Sequence, residues 1–225
     1  MEKIVYVNQC RINLDIEGSG EPLLFLHGNG EDRNYFQRQR EYFTKFYQCI
    51  FMDSRGHGES DLGTRGLSLS LMADDVIKVI EALNIPRPHV LGFSDGANIA
   101  ILAALKNQHI FHKMILNGAN IFPKGIKTSV HASMVKEYLF SRGFKHSLLS
   151  LMVNEPKLSF DDLKEIKSET LVIAGEHDLI KTSHTEQIAR SIPKAELVIL
   201  PKGDHFCAFK QDHVFNEVVH QFLLK

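Results

Sequence analysis

Leu23-Leu24-Phe25-Leu26 places four apolar side chains in succession. Neighbouring residues of a strand point to opposite faces, so a strand that is apolar without alternation is covered on both sides. Strand-like runs recur at Tyr47–Met52, His89–Phe93, Lys113–Asn117, Thr170–Ala174 and Glu196–Leu200. Helical patterns fall between them: a stretch from about Tyr35 to Phe46, an amphipathic stretch marked by Leu71, Val76, Ile80 and Leu83, the small-residue stretch Ala97–Leu105, then His184–Ile192 and about Gln211–Leu224. This alternation predicts an α/β chain with a mostly parallel central sheet and helices on both faces. Ile4–Asn8 and Arg11–Ile16 predict two further short strands at the start, the second alternating apolar and polar.

The rhythm changes between Ile121 and Glu169. Helices are expected at Val130–Phe140 and Phe144–Val153, and Ser159 with Asp162 has the spacing to cap a third short helix through Lys167. No strong strand interrupts these segments, so residues 121–169 are expected to form a small helical cap inserted into a core of residues 1–120 and 170–225. A length of 225 residues suits one domain with a modest insertion.

Lysine plus arginine number 26 against 27 acidic residues, and no region builds the basic field that a phosphate backbone demands, so nucleic acid is not an expected partner. No segment is long and apolar enough to span a bilayer, so no membrane partner is expected either. Met1–Tyr6 runs straight into a strand pattern without a signal-like apolar core, and Cys10, Cys49 and Cys207 have neither disulfide-framework nor metal-ligand spacing. A reducing cytoplasm fits this usage. Gly56 and Gly58 do not make a dinucleotide fingerprint, and the histidines lack the clustering of a zinc site, so no cofactor and no metal are expected. A small molecule is the expected partner; the oligomeric state is left open.

Gly92-Phe93-Ser94-Asp95-Gly96 spells G-x-S-x-G between an apolar strand and a small-residue helix. Glycines at both ends let the chain turn sharply and project the serine hydroxyl outward, which makes Ser94 the candidate nucleophile. A serine hydroxyl needs a base, and His205, between the last strand and the last helix, is placed to serve. The base needs a carboxylate to orient it. Asp178 follows the strand at Thr170–Ala174; Glu176 stands early in the same turn, and Asp204 adjoins the base and would have to reach around its own backbone. His27-Gly28-Asn29-Gly30 can turn beneath a substrate oxygen, which nominates the backbone N–H groups of Asn29 and Asp95 as oxyanion donors. His27 is expected to organise that loop, and Asp53–Ser60, with Arg55 and His57, to form a hydrogen-bonded turn. The Asp95 carboxylate binds a cationic substrate group, or else faces solvent or caps its helix.

Taken in this order, these motifs closely resemble the α/β-hydrolase superfamily. The resemblance implies the α/β-hydrolase fold, with Ser94 as nucleophile, Asp178 as acid, His205 as base, and Asn29 and Asp95 as oxyanion donors. Gly92–Asn98 and His112–Asn120 further resemble the biphenyl-hydrolase-like branch, in which an acidic residue beside the nucleophile recognises amino-acid esters. This chain departs from that branch in Ala97, where a second glycine is usual, and in the shortness of the 121–169 insertion. The expectation is a serine hydrolase of small or medium acyl or aminoacyl esters. Amidase, small-peptidase and thioesterase activities share the chemistry, and a noncatalytic binding protein of the same fold is the reading from another class. A C–C bond hydrolase is disfavoured by the short insertion. Phe25, Phe93, Phe122, Tyr138, Phe140 and Phe144 are candidates for an apolar pocket or cap.

Overall fold

A computed structural model describes all 225 residues. Eight strands form one sheet: β1 (Glu2–Val7), β2 (Cys10–Glu17), β3 (Pro22–Leu26), β4 (Gln48–Met52), β5 (His89–Phe93), β6 (Lys113–Asn117), β7 (Glu169–Gly175) and β8 (Ala195–Leu200). Their spatial order is β1-β2-β4-β3-β5-β6-β7-β8. β2 runs antiparallel to β1 and to β4, and every other neighbouring pair is parallel. The helices are α1 (Gln37–Phe43), α2 (Leu69–Ala82), α3 (Asp95–Lys106), α4 (Thr128–Phe140), α5 (Gly143–Asn154), α6 (Thr182–Ser191), α7 (Cys207–Lys210) and α8 (Asp212–Leu224).

The unbroken apolar runs have a direct cause in this layering. Leu24 and Leu26 of β3 join one core with residues of α2, α3 and α6, while Leu23 and Phe25 join a second core with residues of α1 and α8. Each central strand therefore faces apolar packing on both sides. Ala97, Ala100, Ala103 and Ala104 are all buried, which lets α3 lie close to the sheet. Ser68 starts α2 by accepting the N–H of Leu71 at 3.1 Å.

Two expected helices are shorter than their patterns. The stretch from Tyr35 to Phe46 resolves into a 3-10 turn at Arg33–Phe36 and the seven-residue α1. The third helix expected through Lys167 is only a 3-10 turn, Asp162–Glu165. Ser159 and Asp162 do pair reciprocally: the Asp162 carboxylate accepts from Ser159 N–H at 2.7 Å, and Ser159 Oγ accepts from Asp162 N–H at 3.3 Å. The local cap forms, but Leu163 and Ile166 turn into the core and the chain heads into β7, leaving no room for further turns.

The strand order reverses direction between β3 and β5. The chain leaves β3 toward β4 on one side and leaves β5 toward β6 on the other, so the loops at their carboxyl ends diverge and open a crevice.

Candidate active site

Ser94 sits at the carboxyl end of β5 with φ 53° and ψ −117°, a conformation that L-residues rarely adopt. Its flanking glycines are demanded by close approach. A Cβ on Gly96 would stand 2.0 Å from the Leu26 carbonyl oxygen, and one on Gly92 would stand 2.5 Å from that of Gly96. Ser94 N–H donates to Asn117 O at 2.8 Å, tying the turn to the end of β6.

His205 Nε2 lies 3.1 Å from Ser94 Oγ, and His205 Nδ1 lies 2.7 Å from Asp178 Oδ1. Asp178 Oδ1 also accepts from Ile180 N–H at 2.9 Å, which fixes the carboxylate in its own turn. Glu176 instead accepts from Lys202 N–H at 2.8 Å, and Asp204 accepts from Phe206 N–H at 2.9 Å. Of the three carboxylates weighed from the sequence, Asp178 is the one that meets the imidazole. Gly118, with φ 64°, leaves the space His205 occupies: a Cβ there would approach Cε1 to 2.8 Å. Phe93 packs on the His205 ring at 4.9 Å between centroids and stacks on Tyr35 at 4.4 Å.

The N–H groups of Asn29 and Asp95 donate to no protein acceptor. One follows β3 and the other opens α3, so they stand at the crevice where the strand order reverses. His27 holds the first loop: its Nε2 accepts from Ser54 N–H at 3.0 Å and its Nδ1 contacts Gly28 O at 2.7 Å. Burial, reinforced by the neighbouring His57, pushes the His27 pKa down to about 4. Arg55 is fully buried, forms a two-point ion pair with Asp75 at 2.7 and 2.8 Å, and does not border the cavity at Ser94.

The Asp95 carboxylate is buried and accepts from Asn29 Nδ2 at 2.9 Å and Asn98 Nδ2 at 3.2 Å. It does not face solvent. Asn29 Nδ2 also donates to Leu148 O at 3.0 Å, which ties α5 to the loop after β3. A cavity of about 130 Å³ reaches Ser94 and His205 and is bordered by Ile126, Met134, Met152 and Leu179 as apolar walls. Of the six aromatic candidates only Phe93 borders it. Phe25 belongs to the core beside Phe36 and Phe51, and Phe122 packs on Phe160 and His184. Tyr138 stacks on His146, and Phe140 and Phe144 are exposed on the outer helices. Beside Phe93, the apolar lining comes from Phe206, Met134, Met152 and aliphatic residues.

Sequence reasoning missed Glu31 and Glu155, which also border the cavity. Glu31 Oε2 accepts from Gly28 N–H at 3.1 Å, and burial raises its pKa to about 7. Its place two residues beyond Asn29 was a usable signal. Glu155 had none, because it reaches the cavity only through the fold of residues 121–160.

The sequence model described as the alpha/beta hydrolase fold matches residues 21–145, more than half of the chain. The chain belongs to the α/β-hydrolase family. Strigolactone esterase RMS3 of Pisum sativum is 33% identical over 113 residues, 48% of this chain and 42% of that protein, so this match spans less than half of either. Serine hydrolase BPHL of Homo sapiens is 24% identical across 97% of this chain and 85% of its own length. Among solved structures, an esterase from Exiguobacterium antarcticum superposes with a TM-score of 0.87 at 21% identity, each chain covered completely. At that identity the likeness shows the fold alone. The general hydrolase class of this α/β-hydrolase follows from its family, and no helix in it is long and apolar enough to cross a membrane.

Proposed function

We propose that this α/β-hydrolase is a serine hydrolase of carboxylic esters, acting on a small or medium acyl or aminoacyl substrate through an acyl-enzyme. The observation that carries the reading is the continuous hydrogen-bonded chain from Ser94 Oγ through His205 to Asp178, facing two undonated amides at Asn29 and Asp95. Ser94 attacks the carbonyl carbon as His205 Nε2 takes the hydroxyl proton, and Asp178 stabilises the imidazolium at Nδ1. The tetrahedral oxyanion receives the N–H groups of Asn29 and Asp95. The imidazolium returns its proton to the leaving alkoxide, giving an alcohol and acyl-Ser94. Water, deprotonated by His205, then attacks the acyl carbon; the acid departs and Ser94 recovers its proton.

We read residues 121–169 as a small cap over this chemistry. Met134 of α4 and Met152 of α5 border the cavity, and the Asn29 to Leu148 hydrogen bond tethers the pair to the oxyanion loop. The size of the cavity suits a small acyl group.

A fluorophosphonate probe tests the nucleophile, and a panel of matched esters, thioesters and amides tests the leaving group. Wild type is expected to label and to hydrolyse esters fastest, and Ser94→Ala to do neither while keeping its circular dichroism. Folded wild-type protein that takes no label would overturn the reading, and faster turnover of amides or thioesters would move it to that class.

A further inference from the structure

Gly28 joins two peptide groups of the loop after β3, and glycine is the residue least able to hold such groups in place by its own sterics. The Gly28 carbonyl and the Asn29 N–H belong to one planar trans peptide, so they point in opposite directions. Whatever fixes Gly28 O therefore aims Asn29 N–H. His27 is one such group: its Nε2 accepts from Ser54 N–H, so Nδ1 carries the proton and donates to Gly28 O at 2.7 Å.

Glu31 is the other, and it holds Gly28 at both ends. Its main-chain N–H donates to Gly28 O at 3.4 Å, and its side-chain Oε2 accepts from Gly28 N–H at 3.1 Å. The carboxylate lies close over the glycine: a Cβ on Gly28 would stand 2.9 Å from Glu31 Oε2 and 3.0 Å from the Phe93 ring. Gly28 N–H is the one hydrogen-bond partner of the Glu31 side chain. Withdrawing a carboxylate from water for a single neutral donor is costly. The catalytic hydrogen bonds make no use of this group, since His205 is joined to Ser94 and Asp178 and not to Glu31.

We propose that Glu31 is a positioning residue that clasps Gly28 and so keeps the Asn29 N–H aimed at the developing oxyanion. This rests on the reading of Ser94 as the nucleophile. Without the clasp, Gly28 regains rotation about its own bonds, and a hydrogen bond to the oxyanion weakens steeply as its angle opens. The ground-state ester gains little from that donor, so the loss falls on turnover rather than on binding.

The test compares kcat and KM for one small-acyl ester in wild type and three variants. Glu31→Ala removes the clasp, Glu31→Asp keeps the charge but falls one methylene short of the amide, and Glu31→Gln keeps an oxygen for Gly28 N–H without the charge. In Glu31→Ala, kcat is expected to fall roughly 10- to 100-fold with KM changed by no more than about twofold; His27 retains its bond to Gly28 O, so less is lost than by removing a donor outright. Glu31→Asp is expected to lose kcat in the same direction, and decides the matter if the alanine variant does not fold. Glu31→Gln is expected to stay within about threefold of wild type. Wild-type kcat in folded Glu31→Ala or Glu31→Asp, a loss carried by KM, or a glutamine variant as slow as the alanine one overturns the proposal.

Amide hydrogen exchange followed by NMR needs no turnover. Gly28 N–H is expected to exchange about tenfold faster or more in Glu31→Ala than in wild type, and at nearly the wild-type rate in Glu31→Gln. Equal exchange in all three overturns the clasp. The expected exchange pattern in a wild type that turns over no ester would refute the acyl-transfer reading while supporting the hold of Glu31 on Gly28.

Discussion

Helices α3 and α4 are almost equal in length, yet α3 buries nine of its twelve residues and α4 buries none of its thirteen. The first is pressed against β5 and β6 by its alanines and begins at the strained Ser94 turn. The second carries Leu139 at 69% and Phe140 at 80% exposure and touches the cavity through Met134. The contrast teaches where this fold keeps rigidity. A hydrogen-bonded chain that must hold its atoms within a few tenths of an ångström is mounted on the packed sheet, while part of the wall facing the cavity comes from α4, a helix with no buried residue.

The comparison breaks first at the chemistry. Asp178→Asn is expected to lower kcat by about 10³ to 10⁴ with the fold intact, because an amide cannot stabilise the imidazolium or hold the required tautomer. Steady-state ester hydrolysis and circular dichroism check it, and wild-type turnover in folded Asp178→Asn would remove Asp178 from the mechanism.

The scaffold comes next. Gly96→Ala places a methyl 2.0 Å from the Leu26 carbonyl oxygen, backbone that cannot swing aside, so a loss of about 3 kcal/mol or more is expected in urea unfolding. Stability equal to wild type would mean that α3 sits further from β3 than described.

The outer helices should show the smallest effect. Phe140→Ser removes a side chain that is four-fifths exposed, and unfolding free energy is expected to change by no more than about 0.5 kcal/mol. A larger loss would show that α4 is packed against something, and the contrast between the two helices would fail.

Much of the fold was legible because its signals are local. Double-sided burial leaves unbroken apolar runs, and a strand-turn-helix with glycines at both ends leaves G-x-S-x-G. The misreadings share a cause as well. The pattern around Ser159–Lys167 is helical in cap and composition, but Leu163 and Ile166 are drawn into the core and the helix stops after one 3-10 turn. The aromatics near the insertion resembled a pocket lining, but which face of α4 or α5 meets the cavity depends on how the pair docks, and Met134 and Met152 meet it instead.

By itself the sequence determined the strand and helix order and the conformation demanded of Ser94, together with a short roster of partners in chain order. These rest on steric and patterning rules that act within about ten residues. Only the tertiary structure decided that Asp178, and not Glu176 or Asp204, meets His205 at 2.7 Å, because three carboxylates on two turns compete for that distance and backbone direction settles it. It alone brought Asp95, Glu155 and His57 to adjoining cavities. Residues so far apart in the chain leave no shared local pattern, since burial and charge facing charge are properties of packing.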